Sequence, residues 1–348
     1  MTLDLRKIHK AIASLANATK SDLVLTNVDD DDCAVVKVGI DSDVLIATTD
    51  FINSSPAIIE LGNGSWYHLG QLVACHNFAD LAGSGCIPRF FMSGICAPRG
   101  TSESELLEFT QGVCDVCNQY NTSLIGGDTK FGATRSIYGI ALGVPLSKQG
   151  AFLRTQAKPG YKLIVSGPIG SFGAAVVCLG IGSSRFSDAE LEHAKQMLFR
   201  TYVPFDLAES ISTLGVACAG TDISDGLGTD VNDICESSGV SAVIMERAIP
   251  VDDFTRLVAE KLNVPPWSFA FASGGDFACA YAVPNTVADE CANYGAYIIG
   301  HFDRDPVNLI SGITGQPIVI GGHIATRTKS FADEILTNIF QIKEFYDT

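Results

Sequence analysis

Apolar positions along this chain follow two rhythms. Continuous or alternating apolar runs of strand length occur at Cys33–Val38, Val44–Thr49, Phe90–Ala97 and Ser136–Val144. Between them, Leu106, Phe109, Val113, Val116 and Tyr120 recur at helical spacing behind Ser102 and Glu105, an S-x-x-E capping box. The first half therefore predicts a helix over Asp4–Ala16, two strands, a helix over about Trp66–Ala82, a third strand, the capped helix, and strands at Ser123–Ile125 and Ser136–Val144. The polar segment Pro145–Lys158, with Gly150 inside it and Pro159 just beyond, predicts a boundary between domains over 1–150 and 151–348. In the second half the pattern predicts a strand at Lys162–Ser166 and a helix opened by Ser187 and Glu190, a second capping box, and running to about Arg200. Further helices are expected near Phe205–Leu214, Leu227–Ser238, Asp252–Leu262 and Ser330–Phe345, with strands near Phe269–Ala272, Cys279–Val283 and Tyr297–Ile299. Helices and strands alternate throughout, which means an α/β or α+β protein of two domains.

One run changes the picture if misread. Leu163–Ser184 carries no charge and is long enough to span a bilayer, but Gly167, Pro168, Gly170 and Gly173 interrupt it. It is expected to be a buried strand, a glycine-rich turn and a buried helix, not a membrane span. Composition agrees with a large core: of 348 residues, 47% are hydrophobic and 18% charged. The net charge of −16 opposes nucleic-acid binding, though a bound metal can reverse the sign locally. Eleven cysteines, an odd number, and an opening segment without a signal-peptide apolar core predict reduced thiols in the cytoplasm. Cys114 and Cys117 form a lone C-x-x-C in a helix, expected to be buried thiols rather than a zinc site.

The chain has no Gly-Lys dipeptide for a Walker A loop, no G-x-G-x-x-G, no G-x-S-x-G and no H-E-x-x-H. Instead, acidic residues stand at the ends of apolar runs. Asp29 to Asp32 precede a strand and Asp50 ends one; Asn77 and Asp80 share a helix face at i and i+3. Asp128 follows Gly126 and Gly127, while Asp222 and Asp225 precede a helix that carries Asp230. Singly, such residues are caps and solvated turns. Asp80 lies in a helix apolar on most sides, where a buried carboxylate requires a partner. Five acidic sites at the edges of buried elements suggest convergence on a hard cation, for which Mg²⁺ with a polyphosphate substrate is the natural reading.

Five of these segments occur in order: D-D-C-A-V at Asp31–Val35, T-T-D at Thr48–Asp50, N-x-x-D-L-A at Asn77–Ala82, G-G-D-T at Gly126–Thr129 and I-S-D-G-L at Ile223–Leu227. Together they resemble the aminoimidazole ribonucleotide synthetase (PurM-like) superfamily, and within it the pattern is most similar to the thiamine-monophosphate kinases. The resemblance implies a two-domain PurM-like fold whose N-terminal domain forms a β-barrel across a homodimer. It also implies ATP in a cleft between the domains, its phosphates held by Mg²⁺. By motif matching, Asp31, Asp50, Asp80, Asp128 and Asp225 are metal or phosphate-site residues, with Asp128 and Asp225 catalytic. Asn77, Gly127, Thr129, Lys130 and Thr49 are expected at the nucleotide.

The chain also departs from the pattern. Asp30 stands where the kinases have glycine, and Lys130 or Arg135 would have to replace an arginine after G-G-D-T. The kinases' S-G-G-E-D-Y-E-L reads S-G-G-D-F-A-C at Ser273–Cys279, so acid is lost in a loop assigned to the acceptor, with Asp276 and Phe277 as its substrate residues. The expectation is an ATP- and Mg²⁺-dependent transfer of the γ-phosphoryl to a small phosphorylated acceptor, one less cationic than a thiazolium. Two alternatives stay open: a synthetase that activates an amide-type oxygen, and a non-catalytic nucleotide-binding subunit.

Overall fold

The computed structural model describes residues 14, 17, 23–27, 31–38, 44–52, 54–304, 309–316 and 331–347. The predicted helix over Asp4–Ala16 lies almost wholly outside the described residues, as do Asp29 and Asp30. The first half contains β1 (Ala34–Lys37), β2 (Val44–Ile52), a short α1 (Ala57–Glu60), α2 (Trp66–Gly83), β3 (Cys86–Pro98), α3 (Glu103–Gln119), β4 (Ser123–Gly132) and β5 (Ser136–Pro145). Its strands form a sheet in the order β1-β2-β5-β3-β4, antiparallel except for the β3–β4 pair. Helix α2 lies on one face of this sheet and is buried nearly all round; Phe78 meets Phe91 of β3 edge-on at 5.6 Å. The Ser102–Glu105 capping box opens α3 as the sequence predicts. Within one chain the sheet is open, and no closed barrel is found among the described residues.

The second half contains β6 (Lys162–Val165), α4 (Ser171–Ile181), α5 (Asp188–Leu198), α6 (Phe205–Thr213), β7 (Ala219–Asp222), α7 (Leu227–Ser238) and β8 (Ser241–Ile244). There follow α8 (Asp253–Leu262), α9 (Ser268–Ala272), β9 (Cys279–Val283), α10 (Ala288–Asn293), β10 (Tyr297–Asp303), β11 (Leu309–Ser311) and α11 (Phe331–Asp347). Six strands form a mixed sheet in the order β11-β8-β10-β6-β9-β7. One core cluster joins α2, the first sheet and helices α4 to α6; a second lies between the second sheet and α7. The uncharged run resolves into β6, a turn and α4, and no helix among the described residues is long and apolar enough to cross a membrane.

Two expectations fail locally. Phe269–Ala272 is helical, because the Pro265 carbonyl accepts from the Ser268 backbone N–H and hydroxyl and starts a turn there. A short apolar run does not by itself separate strand from helix. Strand β4 does not stop at Ile125 but continues through both glycines to Gly132, since pairing with β3 carries it from Ser123 opposite Phe90 to Gly132 opposite Pro98. Strands β7, β8 and β11 are too short to give a period in sequence.

Candidate active site

The site begins where the two halves touch. A Cβ on Gly83, at the end of α2, would stand 2.4 Å from the Asp222 nitrogen, and one on Gly220 in β7 would stand 2.1 Å from the Gly83 carbonyl oxygen. The two backbones meet this closely because neither residue has a side chain. The contact brings Asp80, one turn back on α2, to Asp222 at the end of β7. Asp32, just before β1, completes a group in which one carboxylate oxygen from each residue lies within 4.8 Å of the others.

Two of the three are held by hydrogen bonds. The Thr48 hydroxyl of β2 donates to Asp80. Asp32 accepts from the Arg154 guanidinium and, at 3.0 Å, from the Thr221 hydroxyl. Arg154 also donates to Thr221 at 2.8 Å and lies 3.7 Å from Asp233. Burial, then the charges of Asp50, Asp222 and Asp32, push the Asp80 carboxyl well above the usual range. Burial, then Asp32 and Asp50, do the same to Asp222. Carboxylates this close repel one another unless a proton or a cation lies among them. A set of hard oxygen donors with a hydroxyl beside it fits a divalent cation such as Mg²⁺.

Next to this group is a cavity of about 430 Å³ between the domains. Asp50, His76 and Asp225 line it, with the ring of Phe277 and, from α11, Glu334 and Asn338. Asp50 is raised by burial and by Asp32 and Asp225, against a lowering by His76. The loop carrying Phe277 presses on the Asp225 segment: a Cβ on Gly274 would stand 2.0 Å from the Ser224 carbonyl oxygen. A pocket with a large apolar wall and a few converging polar groups is the form of a small-molecule site.

Family models for AIR synthase related protein match the chain twice, the N-terminal domain over residues 30–144 and the C-terminal domain over 158–310. The chain belongs to the AIR synthase related protein family. Among its curated relatives, the thiamine-monophosphate kinase of Bacillus subtilis is 29% identical over 231 residues, covering 64% of this chain and 69% of the relative. That of Haemophilus influenzae is 28% identical over 271 residues, covering 75% and 76%. In fold, the chain is similar to AaThiL complexed with AMPPCP and TMP, with a TM-score of 0.74, 22% identity and coverage of 91% and 97%. It is also similar to the hydrogenase maturation protein HypE of E. coli, with a TM-score of 0.64, 19% identity and coverage of 92% and 99%.

In this AIR synthase related chain the residues singled out from sequence are not all in one place. Asp80 is in the carboxylate group, and Asp50 and Asp225 are in the cavity wall beside it. Asp31 is turned aside: its oxygens accept from the backbone N–H groups of Arg154 at 2.7 Å and Cys33 at 3.2 Å, and burial, then Asp32, push its carboxyl up to about 6. Asn77 is fully buried, with its Nδ2 on the Val73 carbonyl and its Oδ1 on the Asp50 N–H, so it clamps α2 to β2 rather than facing the cleft. Thr49 points away from α2 and donates to the Gly139 carbonyl. Asp128 shares a row with Gly94, Tyr138 and Phe51, on the sheet face opposite to Asp50 and Asp80. It is 58% exposed and 3.3 Å from Lys130, on the same face. Gly127 and Thr129 are on the inner face of β4 but three strand spacings from β2, roughly 14 Å away.

The acceptor loop also divides. Phe277 lines the cavity, but Asp276 is turned into the fold, where its oxygens accept from the N–H groups of Gly170 at 2.7 Å and Phe172 at 2.8 Å and anchor the start of α4. Burial, resisted by those two donors, raises its carboxyl to about 6. The loop therefore presents the ring of Phe277 to the cavity and keeps its one acid, Asp276, inside the fold. Asp32 and Asp222, noted in sequence among the acids at the ends of apolar runs, take the places that motif matching gives to Asp31 and Asp225, and Thr48, Arg154 and His76 are the residues it leaves unassigned. For Thr48 the signal is the strand period, which puts it on the face of buried Ile46. For His76 it is the i, i+4 spacing to Asp80 on one helix face. Arg154 gives no sequence signal.

Proposed function

We propose that this chain is a divalent-metal- and ATP-dependent phosphotransferase that moves the γ-phosphoryl of ATP onto the phosphate of a small phosphomonoester, with thiamine monophosphate as the first acceptor. The observation that carries the reading is the carboxylate group Asp32, Asp80 and Asp222 at the edge of a cavity of about 430 Å³, in a family whose curated relatives are thiamine-monophosphate kinases. ATP as donor is supported by the AMPPCP bound in the similar fold of AaThiL. Mg²⁺ held by these three carboxylates, with Asp50 and Asp225 beside them, would neutralise charge on the phosphates.

An oxygen of the acceptor phosphate attacks the γ-phosphorus, the bond from that phosphorus to the β,γ-bridging oxygen breaks, ADP leaves with the electron pair, and a new P–O–P linkage forms. The attacking oxygen is already ionised near neutral pH, so no protein base is required. What the chain supplies is alignment of the two phosphates in a site that excludes water.

The active assembly in this reading is a homodimer formed through the outer face of the first sheet. Large apolar side chains exposed there support it, among them Phe51 at 62% and Tyr138 at 41% exposure, with Phe90 and Ile125 nearby. A partner on that face offers the G-G-D-T strand a role it does not have within its own chain: Asp128 and Lys130, which point to that face, would serve the partner's nucleotide. Eleven free cysteines support a reducing setting such as the cytoplasm. The test is phosphorus NMR of the wild-type protein with ATP, Mg²⁺ and thiamine monophosphate. The expected result is ADP plus a new diphosphate signal. ADP and free phosphate without a new linkage, or no ATP consumption with any phosphomonoester, would refute the reading.

A further inference from the structure

The wall of the cavity poses a charge problem. Among the described residues it carries three carboxylates, Asp50, Asp225 and Glu334, and neither lysine nor arginine. A phosphomonoester entering it brings two more negative charges near neutral pH. Metal can offset those at the carboxylate end, but a phosphate also needs hydrogen-bond donors that fix its orientation. Among the described side chains that line the cavity, Ser224, Ser273 and Asn338 are neutral donors, and His76 alone carries a donor and is also able to become cationic.

His76 is set for such a role. It lies on α2 one turn before Asp80, between the charges of Asp50 and Asp225, which oppose the lowering that burial imposes on it. No hydrogen bond within the protein is seen for its ring nitrogens among the described residues. Its ring meets that of Phe277 edge-on, with centroids 5.3 Å apart and planes at 88°. Phe277 itself adopts a positive φ of 54°, a conformation that costs a bulky residue energy and persists where the surroundings impose it. The strained Phe277 thus packs against the imidazole from one side, and both residues line the cavity.

We propose that His76 is the positioning residue for the acceptor phosphate, donating a ring N–H to one of its oxygens and holding another in line with the γ-phosphorus. The inference rests on the kinase reading above. His76 does not act as a base here, because the attacking oxygen has no proton to lose.

The test uses steady-state kinetics of the full chain with ATP, Mg²⁺ and thiamine monophosphate. His76→Phe keeps a ring against Phe277 and removes the donor; His76→Gln keeps an N–H donor. In His76→Phe the KM for the acceptor should rise roughly ten- to a hundred-fold, as for loss of one charge-assisted hydrogen bond, with the KM for ATP unchanged. His76→Gln should recover most of that loss. Thiamine, which lacks the phosphate, should inhibit wild type and His76→Phe with the same inhibition constant. A wild-type acceptor KM in His76→Phe, equal losses in the two variants, or weakened thiamine binding would each overturn the role assigned to His76. Absence of transfer by the wild type would instead overturn the kinase reading, and this inference with it.

Discussion

The two faces of the first sheet are made from the same strands and have opposite fates. In β2, Thr48 and Asp50 turn toward α2, where Thr48 bonds Asp80 and Asp50 lines the cavity. Thr49 and Phe51, one residue out of step, turn outward to Gly139 and to solvent. Among apolar Ile46, Ile52 and Phe91 the inner face buries polar Thr48 and half-buries Asp50, while the outer face exposes large apolar Phe51 and Tyr138. Both are inversions of the usual order, and in the proposed reading a cation would relieve the first and a second copy would cover the other. A period of two residues thus decides which of two adjacent threonines serves the carboxylate group.

The largest expected effect falls on the inner face. Asp80→Asn or Asp222→Asn should lower turnover by at least about a hundred- to a thousand-fold, the scale seen when one group stabilising developing charge is removed. In metal-free buffer the same variants should melt no lower than wild type, because each removes a repulsive charge from the group. Near-normal turnover in both variants would place the chemistry elsewhere.

A complementation experiment separates the faces more finely. Asp128→Asn should also lose activity, but in the partner's site rather than its own. Mixing it with Asp80→Asn after dissociation and reassociation should restore about a quarter of wild-type activity, since half of the dimers are hybrids and each hybrid has one intact site. If the mixture stays as inactive as its parents, Asp128 does not act across subunits.

The smallest effect is on stability against pH. Asp31 and Asp276 have folded-state values of about 6, above the 3.8 of an ordinary aspartate. The folded state therefore holds the protons more tightly, and the stability these groups contribute below 3.8 is lost as pH rises toward about 6. Asp80, Asp222 and Asp230 shift in the same direction. Without metal, the melting temperature should decline across that window, and Mg²⁺ should raise it more above the window than below. Melting curves at several pH values, with and without Mg²⁺, check this.

The long periodic elements were legible in sequence: α2, the capped α3, and β5 lie within a residue or two of their expected positions. The carboxylate motifs were also legible, but not which acid in each motif does what. In D-D-C-A-V the side chain that reaches the group is Asp32, because Asp31 is taken by the Arg154 and Cys33 backbone. In D-I-S-D-G-L the first acid, at the end of β7, joins the group, while Asp225 goes to the cavity wall. Asp276 looked like an acceptor residue but anchors α4, a contact between segments more than a hundred residues apart that no local pattern encodes.

The most direct test of the inner-face account is the position of the metal. Crystals grown with Mn²⁺ and AMPPCP, measured for anomalous scattering, should show an Mn²⁺ peak within ligand distance of Asp32, Asp80 and Asp222 in wild type. That peak should be missing in Asp222→Asn. Metal bound only at the outer face, or a peak unchanged by loss of Asp222, would contradict the account.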